Sequence, residues 1–194
     1  VKFGNFILKN GHMSPIYCDF RDVISYPEVW LKLTDLMIEK LREIEEFHTI
    51  CGVPYAALPL AALVSAKNRI PMLLKRKERK DYGTAKLIEG VIVQGQKVLI
   101  VEDVVTTGSS IIETANVLRG EGLIVEKALV VLDREQSARS NLKADGIEMF
   151  EVFKLMDLLK ILCDNSVIGS IVVDSVRNYL SDNNLAPVQK AKSR

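Results

Sequence analysis

Residues 98–110 carry the side chains best suited to chemistry. An apolar run at 98–101 is followed by two adjacent carboxylates, Glu102 and Asp103, and then by a turn rich in Thr, Gly and Ser. The backbone N–H groups and hydroxyls of such a turn, with the N-terminus of a following helix, favour a phosphate group. The carboxylates suit sugar hydroxyls or a hydrated Mg²⁺ ion. The spacing therefore predicts a site for a ribose 5-phosphate.

Other interpretations of this region fit less well. The chain has no GxxxxGK[ST] sequence, which argues against a P-loop NTPase. Gly120 and Gly122 begin a dinucleotide-like pattern, but they follow a predicted helix, and Val125 stands where the third glycine belongs. We interpret these glycines as a helix stop. A capped helix after an ordinary strand would explain the polar turn alone, but not the two acids before it.

A second candidate segment, residues 75–84, is strongly basic. It places five cations in the six positions 75–80, and Gly83 follows. A solvated charged loop is one interpretation. The other is catalytic, because a departing pyrophosphate carries several negative charges that Arg or Lys groups must stabilise. A long loop bearing cations can also close over a site and exclude water.

The elements that position these residues alternate along the chain. Apolar periodicity predicts helices at 27–46, 57–68 and 110–119, with a Ser110–Glu113 capping box at the start of the third. The predicted apolar face of the first helix consists of Val29, Leu33, Leu36, Met37, Leu41 and Ile44. Continuous apolar runs predict buried strands at 48–53, 72–74, 97–101 and 128–132. This alternation is typical of an α/β fold with a parallel sheet covered on both faces. Such sheets bind ligands at the carboxyl ends of their strands.

Composition places limits on the function. A chain of 194 residues that is 48% hydrophobic suits one globular domain, and a net charge of +1 argues against general nucleic-acid binding. No apolar stretch reaches membrane-spanning length, so no membrane association is expected. Residues 183–194 are polar and are predicted to form a tail or linker after a domain at 1–182.

The three cysteines, Cys18, Cys51 and Cys163, form no CxxC pair. They are too dispersed to predict a zinc site and are interpreted as free thiols in a reducing cytoplasm. The chain begins at Val1 with no signal-peptide pattern and no initiator methionine, so a trimmed N-terminus is expected.

The strand, paired acids and polar turn resemble the phosphoribosyl pyrophosphate motif of type I phosphoribosyltransferases. That resemblance implies their fold: a central, mainly parallel sheet flanked by helices, with a small N-terminal hood and a flexible catalytic loop. It also implies that Glu102 and Asp103 bind the ribose hydroxyls. The residues expected around the 5-phosphate are Thr106, Thr107, Gly108, Ser109 and Ser110, and Val104 and Val105 are expected to bind phosphoribosyl pyrophosphate with them.

The basic segment resembles the catalytic loop of orotate phosphoribosyltransferases, which reads Arg-Lys-Glu-x-Lys-Asp-[His/Tyr]-Gly. The resemblance assigns catalysis to Lys77, Lys80 and Tyr82, beside Asp103, and places Arg76 with them at phosphoribosyl pyrophosphate. In that family the loop reaches the neighbouring subunit's site, which implies a homodimer.

Residues 3–17 resemble the N-terminal segment of the same family. The match implies that Lys9 contacts both substrates and that Tyr17 and Cys18 line the orotate pocket. Arg134 matches the family residue that contacts orotate, whose carboxylate a guanidinium can bind through two hydrogen bonds. Thr106 would touch the base as well. The alternative interpretation of Arg134 is a salt bridge to Asp133 or Glu135.

One segment departs from the bacterial pattern. Ala56 follows Tyr55 where bacterial members carry Lys, so the contacts of these two residues with pyrophosphate would come from their backbone. Ala56 and Tyr82 resemble the bifunctional eukaryotic enzymes, in which a decarboxylase half follows.

The function implied is transfer of a phosphoribosyl group to orotate in UMP biosynthesis. Mg²⁺ is expected as cofactor, held through the substrate with Asp103 nearby and without direct protein ligands. Two alternatives stay open: a purine phosphoribosyltransferase, which would not need Arg134, and a non-enzymatic regulator that binds phosphoribosyl pyrophosphate, which would not need the basic segment.

Overall fold

The computed structural model describes residues 1–7, 13–78 and 87–182. The strands in this part of the chain are β1 Lys2–Ile7, β2 Met13–Tyr17, β3 Thr49–Gly52, β4 Met72–Lys75, β5 Ile88–Glu89, β6 Lys97–Val105, β7 Ile124–Asp133 and β8 Glu148–Lys154. The α-helices are α1 Pro27–Leu41, α2 Leu58–Asn68, α3 Ser109–Gly120, α4 Ala138–Ala144, α5 Leu155–Asp164 and α6 Ser170–Asp182.

A six-stranded sheet in the order β5-β4-β3-β6-β7-β8 forms the centre of the fold. All neighbouring strands in it run parallel except β4 and β5, which form an antiparallel edge. The predicted parallel α/β sheet is therefore confirmed. Along the described parts of the chain, no helix combines the length and apolar character needed to cross a bilayer.

The central strands bury side chains on both faces, which explains their continuous apolar runs. Along β6, Ile100 packs with Ile111 and Leu118 of α3, whereas Leu99 packs on the other face with Met37 of α1 and residues of α2. Burial on both sides leaves no room for an alternating polar pattern. The sheet is thus a rigid base whose carboxyl edge positions the polar residues that follow.

The first helix is shorter than predicted. Four of the six residues predicted for its apolar face are buried, namely Leu33, Met37, Leu41 and Ile44, and two are not. α1 begins at Pro27 as expected but ends at Leu41 instead of residue 46. Val29 and Leu36 are 53% and 38% exposed, so their predicted place in the core was wrong. Trp30 is buried instead, and the helix faces the sheet along a stripe at i, i+3, i+4, i+7 and i+11: Trp30, Leu33, Thr34, Met37 and Leu41.

The predicted capping box at Ser110 and Glu113 was also wrong. Helix α3 begins at Ser109 after Gly108, whose φ of +79° suits glycine, and no side chain caps the helix. Glu113 pairs instead with a residue of β4: its Oε1 accepts a hydrogen bond from Lys75 Nζ at 2.8 Å. The attraction of a buried ammonium outweighs the local cap here.

A two-stranded antiparallel sheet of β1 and β2 forms the predicted N-terminal hood. Ile16 of β2 is fully buried in a cluster with Leu132 of β7, Leu155 of α5 and Val176 of α6. This packing brings the end of β2 beside the carboxyl edge of the central sheet. The loop predicted at 75–90 includes the short strand β5, while its residues 79–86 and the predicted tail at 183–194 lie outside the described residues.

Candidate active site

Strand β6 extends through Val105, so the paired acids lie within the strand and not after it. Glu102 is paired in register with Val130 of β7, and Val105 with Asp133. The side chain of Glu102 is buried and that of Asp103 is half-buried, and Glu102 Oε1 accepts a hydrogen bond from the Asp103 N–H at 3.0 Å. The long strand fixes both carboxylates to a rigid frame.

The two carboxylates also interact electrostatically. Burial raises the pKa of Glu102 well above its ordinary value, and a hydrogen bond and like charge from the Asp103 side chain raise it further. Both effects favour the protonated form of Glu102. A neutral acid beside a carboxylate offers one hydrogen-bond donor and several acceptors, which is the set that a sugar diol requires.

The turn after β6 encloses a small polar pocket of about 140 Å³. Ser109 and Ser110 are exposed at the start of α3, and Thr107 Oγ1 donates a hydrogen bond to Ser109 Oγ at 3.2 Å. The helix N-terminus and the hydroxyls make this pocket suitable for a phosphate group. Its lining consists of Glu102, Val104, Val105, Thr106, Thr107, Gly108, Ser109, Ser110 and Ile111.

Hydrogen bonds from residues 134–141 hold the carbonyl oxygens of this turn in place. They run from the Arg134 N–H to Val105 O at 3.0 Å, from the Ala138 N–H to Thr106 O at 3.1 Å and from Asn141 Nδ2 to Thr107 O at 2.9 Å. With its carbonyl groups engaged on one side, the turn directs N–H groups and hydroxyls to the other side. The polar turn is thus pre-organised by the loop after β7.

Helix α4 packs closely against the same turn. A Cβ atom at Gly108 would lie 3.0 Å from Leu142 Cγ, which is tighter than an ordinary contact. Gly108 is therefore required both by its backbone conformation and by the close approach of α4.

Arg134 is a buried cation whose hydrogen bonds are incomplete. The residue is 5% exposed, its Nη2 lies 3.4 Å from Ser14 Oγ, and its Nε has no hydrogen-bond partner among the described residues. The alternative of a salt bridge to a neighbouring acid is not observed. Instead, Asp133 Oδ1 accepts the Glu135 N–H at 2.8 Å. A buried guanidinium with an unpaired N–H favours an anionic ligand.

A second pocket, of about 320 Å³, gathers residues from distant parts of the chain. The peptide bond between Pro54 and Tyr55 is cis, and Lys77 Nζ lies 5.6 Å from the centroid of the Tyr55 ring. The lining comprises Cys18, Asp19, Arg21, Pro54, Tyr55, Ala56, Lys77, Asp103 and Val104. Predicted base-side and pyrophosphate-side residues thus meet around Asp103.

Comparison with known proteins decides the family. A family model described as phosphoribosyl transferase domain matches residues 24–155. An orotate phosphoribosyltransferase from Caenorhabditis elegans is 49% identical over 157 residues, covering 80% of this chain and 69% of that protein. The chain belongs to the orotate phosphoribosyltransferase family. The predicted family and its type I fold are therefore confirmed.

Two longer proteins are similar to this chain over nearly its whole length. The chain is 47% identical to bovine uridine 5'-monophosphate synthase over 183 residues, which cover 94% of the chain and 38% of the bovine protein. The structure of Leishmania donovani UMP synthase matches with a TM-score of 0.85 and 34% identity, over 93% of this chain and 39% of the other. The chain therefore spans less than half the length of these relatives.

Not all residues predicted for an orotate phosphoribosyltransferase site can be placed. Lys9, Lys80 and Tyr82 lie outside the described residues. Arg76 lies at the base of the basic segment, where its guanidinium is 3.6 Å from Glu89, and it lines neither pocket. Its predicted contact with phosphoribosyl pyrophosphate stays a prediction.

Three of the residues predicted to contact orotate lie at or beside the hood: Tyr17, Cys18 and Arg134. Tyr17 ends β2, and its hydroxyl accepts a hydrogen bond from Arg21 Nη2 at 3.0 Å. Burial raises the pKa of the Cys18 thiol, while the charge of Arg134 partly lowers it, so these two side chains lie close enough to interact. The fold thus brings Cys18 and Arg134 together, although 116 positions separate them in the sequence.

Several site residues carried no signal of their own in the sequence. Asp19 and Arg21 line the second pocket, Ser14 contacts Arg134, and Asn141 supports the phosphate turn. Ser14 belongs to the N-terminal match, but its hydroxyl contact could not be foreseen. Asn141 lies within a short helix and belongs to no recognisable pattern.

The described residues contain no group of three or more His, Cys, Asp or Glu side chains that could hold a metal ion. The paired acids are the carboxylates closest to the predicted ribose position. This donor set fits a divalent ion whose remaining ligands come from a substrate and water.

Proposed function

We propose that the chain transfers the 5-phosphoribosyl group of phosphoribosyl pyrophosphate to orotate, giving orotidine 5'-monophosphate and pyrophosphate in UMP biosynthesis. One observation carries the proposal: strands β6 and β7 present a phosphate-sized turn and a buried, incompletely paired guanidinium at the same edge of the sheet. The Arg134 N–H bonds Val105 O directly, so the two features are adjacent. Family membership supports the same reaction.

The phosphate turn would hold the ribose 5-phosphate through its N–H groups and hydroxyls. Glu102 and Asp103 would hold the ribose hydroxyls, with Glu102 donating or accepting as its proton requires. Arg134 would bind the orotate carboxylate, with Cys18 and Tyr17 beside the ring. These contacts place N1 of the base opposite the departing pyrophosphate at the anomeric carbon.

The bond change is a substitution at that carbon. Orotate N1 loses its proton and forms the new C–N bond while the C–O bond to pyrophosphate breaks. The carbon inverts its configuration, the bonding electrons leave with pyrophosphate, and the N1 proton passes to pyrophosphate or to solvent. Positive charge develops on the ribose ring, and positioning and charge stabilisation provide most of the acceleration. No covalent enzyme intermediate is required.

Residues of the second pocket would neutralise the negative charge of the departing pyrophosphate. Lys77 lies there, and Tyr55 and Ala56 line the same pocket. Lys9, Arg76, Lys80 and Tyr82 are proposed to join them from the family pattern. Bound Mg²⁺ would supply further neutralisation of the phosphate oxygens, and Asp103 is the chain's nearest proposed contact to it.

We further propose a homodimer in which the basic segment serves the neighbouring site. The length of the UMP synthase relatives supports a fused decarboxylase half in the full-length protein. The free thiols of Cys18, Cys51 and Cys163 are consistent with our expectation of a cytoplasmic enzyme.

Loss of orotate absorbance tests the reaction. Purified protein is mixed with orotate, phosphoribosyl pyrophosphate and Mg²⁺, and adenine and hypoxanthine replace orotate in parallel reactions. We expect absorbance loss that depends on all three components, and no product from either purine. Product from a purine, with none from orotate, would contradict the proposal.

A further inference from the structure

A buried lysine ends β4 immediately before the basic segment. The side chain of Lys75 is 6% exposed, and its Nζ lies 2.8 Å from Glu113 Oε1. Its partner, in contrast, lies at the surface: the Glu113 side chain is 73% exposed. Removing an ammonium group from water is costly unless a carboxylate compensates, so Lys75 depends strongly on Glu113.

The ion pair joins the two parts of the proposed site that must act together. Lys75 is paired in register with Ile88, and the Arg76 N–H donates to Leu87 O at 2.8 Å. These contacts close the base of the segment that carries Lys77. At the other end, Glu113 lies four residues after Ser109, where α3 leaves the phosphate turn.

The other titratable neighbour of Lys75 does not compete with Glu113. Burial raises the pKa of the Cys51 thiol to about 11, with Lys75 partly lowering it, so this thiol is neutral at physiological pH. Among the described residues, Glu113 is the carboxylate that pairs with Lys75. The pair therefore acts as one specific connection between β4 and α3.

We propose that Lys75 is a positioning residue for phosphoribosyl transfer, and that its ion pair with Glu113 sets the base of the basic segment relative to the phosphate turn. The inference rests on the proposed function. With the connection intact, Lys77 has a fixed position relative to a phosphate bound at α3. Without it, Lys77 would approach the pyrophosphate less accurately.

The expected effect is selective for one substrate. Small displacements of charge-stabilising groups reduce catalysis strongly, so Glu113→Gln should lower kcat/KM for phosphoribosyl pyrophosphate by about tenfold. The KM for orotate should change by less than about twofold, because Arg134 is held by β7 and not by β4. A purely structural pair would not separate the two substrates in this way.

Steady-state kinetics with each substrate varied in turn tests the proposal. The variants are Glu113→Gln, Lys75→Met and Lys75→Arg, and urea unfolding measures the stability of each. Asp35→Asn is the matched control, because Asp35 is an exposed carboxylate that pairs with Lys67 at 2.6 Å between α1 and α2. We expect Lys75→Arg to retain several times the activity of Lys75→Met, and the control to match wild type.

Glu113→Gln is the decisive variant, because Gln keeps the shape of the side chain and an oxygen that can accept the Lys75 hydrogen bond while it removes the charge. A folded Glu113→Gln protein with wild-type kcat/KM for phosphoribosyl pyrophosphate would overturn the proposal. So would equal losses for both substrates that follow the loss of stability. If the wild type uses a base other than orotate, the proposed function fails, while the comparison for phosphoribosyl pyrophosphate still decides the role of Lys75.

Discussion

Asn141 Nδ2 donates a hydrogen bond to the carbonyl oxygen of Thr107 at 2.9 Å, which ties helix α4 to the centre of the phosphate turn. The same amide group lies 3.3 Å from Ser137 Oγ, and the residue is 6% exposed. The bond holds the Thr107 carbonyl away from the pocket. The peptide N–H groups of the turn are thereby left to face a ligand.

Replacing Asn141 with Ala should therefore weaken both the fold and the turn. Loss of the buried bond should lower the free energy of unfolding by about 1–2 kcal/mol. The KM for phosphoribosyl pyrophosphate should rise about fivefold as the turn loosens, with little change for orotate. Urea unfolding and steady-state kinetics measure these two effects.

The matched control for Asn141→Ala is Asn165→Ala. Asn165 also donates from Nδ2 to a carbonyl, that of Ile161 at 2.8 Å, but it is exposed at the end of α5. We expect near wild-type kinetics for the control. Equal changes in KM in the two variants would contradict a specific role for Asn141.

Glu102 should make the free energy of unfolding fall as pH rises, which is the opposite of the usual effect of a carboxyl group. Its pKa in the folded chain is raised above its ordinary value of 4.5, chiefly by burial. Its contribution to stability is therefore complete below that value and is lost as pH rises through the folded pKa. Glu102→Gln removes this loss, so the variant should gain stability relative to wild type as pH increases.

Urea unfolding of both proteins from about pH 5 to about pH 8 measures the trend. Glu39→Gln is the control, since Glu39 is exposed on α1. We expect a stability difference that grows with pH for Glu102→Gln and stays flat for the control. A difference that shrinks with pH would mean that Glu102 is held ionised in the folded protein.

The sheet was predictable because its central strands are long and apolar on both faces. The hood was not predictable from periodicity: most β1 residues are exposed, and Ile16 of β2 becomes buried only through contacts with Leu155 and Val176. Two positions of α1 were misjudged for a related reason. Val29 and Leu36 fit a helical stripe, but the sheet selects the neighbouring stripe that contains Trp30.

The site shows the same division between features that the sequence predicts and features that depend on tertiary contacts. Asp133 and Glu135 flank Arg134 in the sequence, yet both are used by backbone groups: Asp133 accepts the Glu135 N–H, and Glu135 accepts the Met156 N–H at 2.7 Å. Glu113 was likewise given a local partner, although Lys75 of β4 is its neighbour in space. Motifs identified the groups, but three-dimensional neighbours determined their partners.

Arg134→Ala should mainly reduce orotate binding. Removing one member of a buried charge-assisted pair costs about 2–5 kcal/mol, which corresponds to a large rise in the KM for orotate. The affinity for phosphoribosyl pyrophosphate should change much less, because the Arg134 contact with Val105 comes from its backbone N–H. Isothermal titration with each substrate separates the two effects.

The neighbouring Arg139 provides the control for Arg134→Ala. Its side chain is 52% exposed and pairs with Glu151 on β8, so Arg139→Ala should leave both affinities near wild type. Unchanged orotate affinity in Arg134→Ala, together with failed binding of phosphoribosyl pyrophosphate, would show that Arg134 has a different role from the one proposed.

The proposed sharing of sites between subunits can be tested with two damaged proteins. Asp103→Asn should be nearly inactive without unfolding, because Asp103 lies on β6 in its own subunit's pocket. Lys80→Ala should be nearly inactive because the family pattern places this cation at the neighbouring site. In a mixed dimer, one site would combine both lesions and the other would contain neither.

Activity should therefore return when the Lys80→Ala and Asp103→Asn proteins are mixed and allowed to exchange subunits. The expected level is one working site per heterodimer, and two different affinity tags allow the heterodimer to be purified and assayed by itself. A mixture of Asp103→Asn with the Asp103→Asn, Lys80→Ala double variant is the control, since no intact site can form there. Tagged heterodimers that show no recovery would mean that the basic segment serves its own subunit, because both sites of the heterodimer would then carry one lesion each.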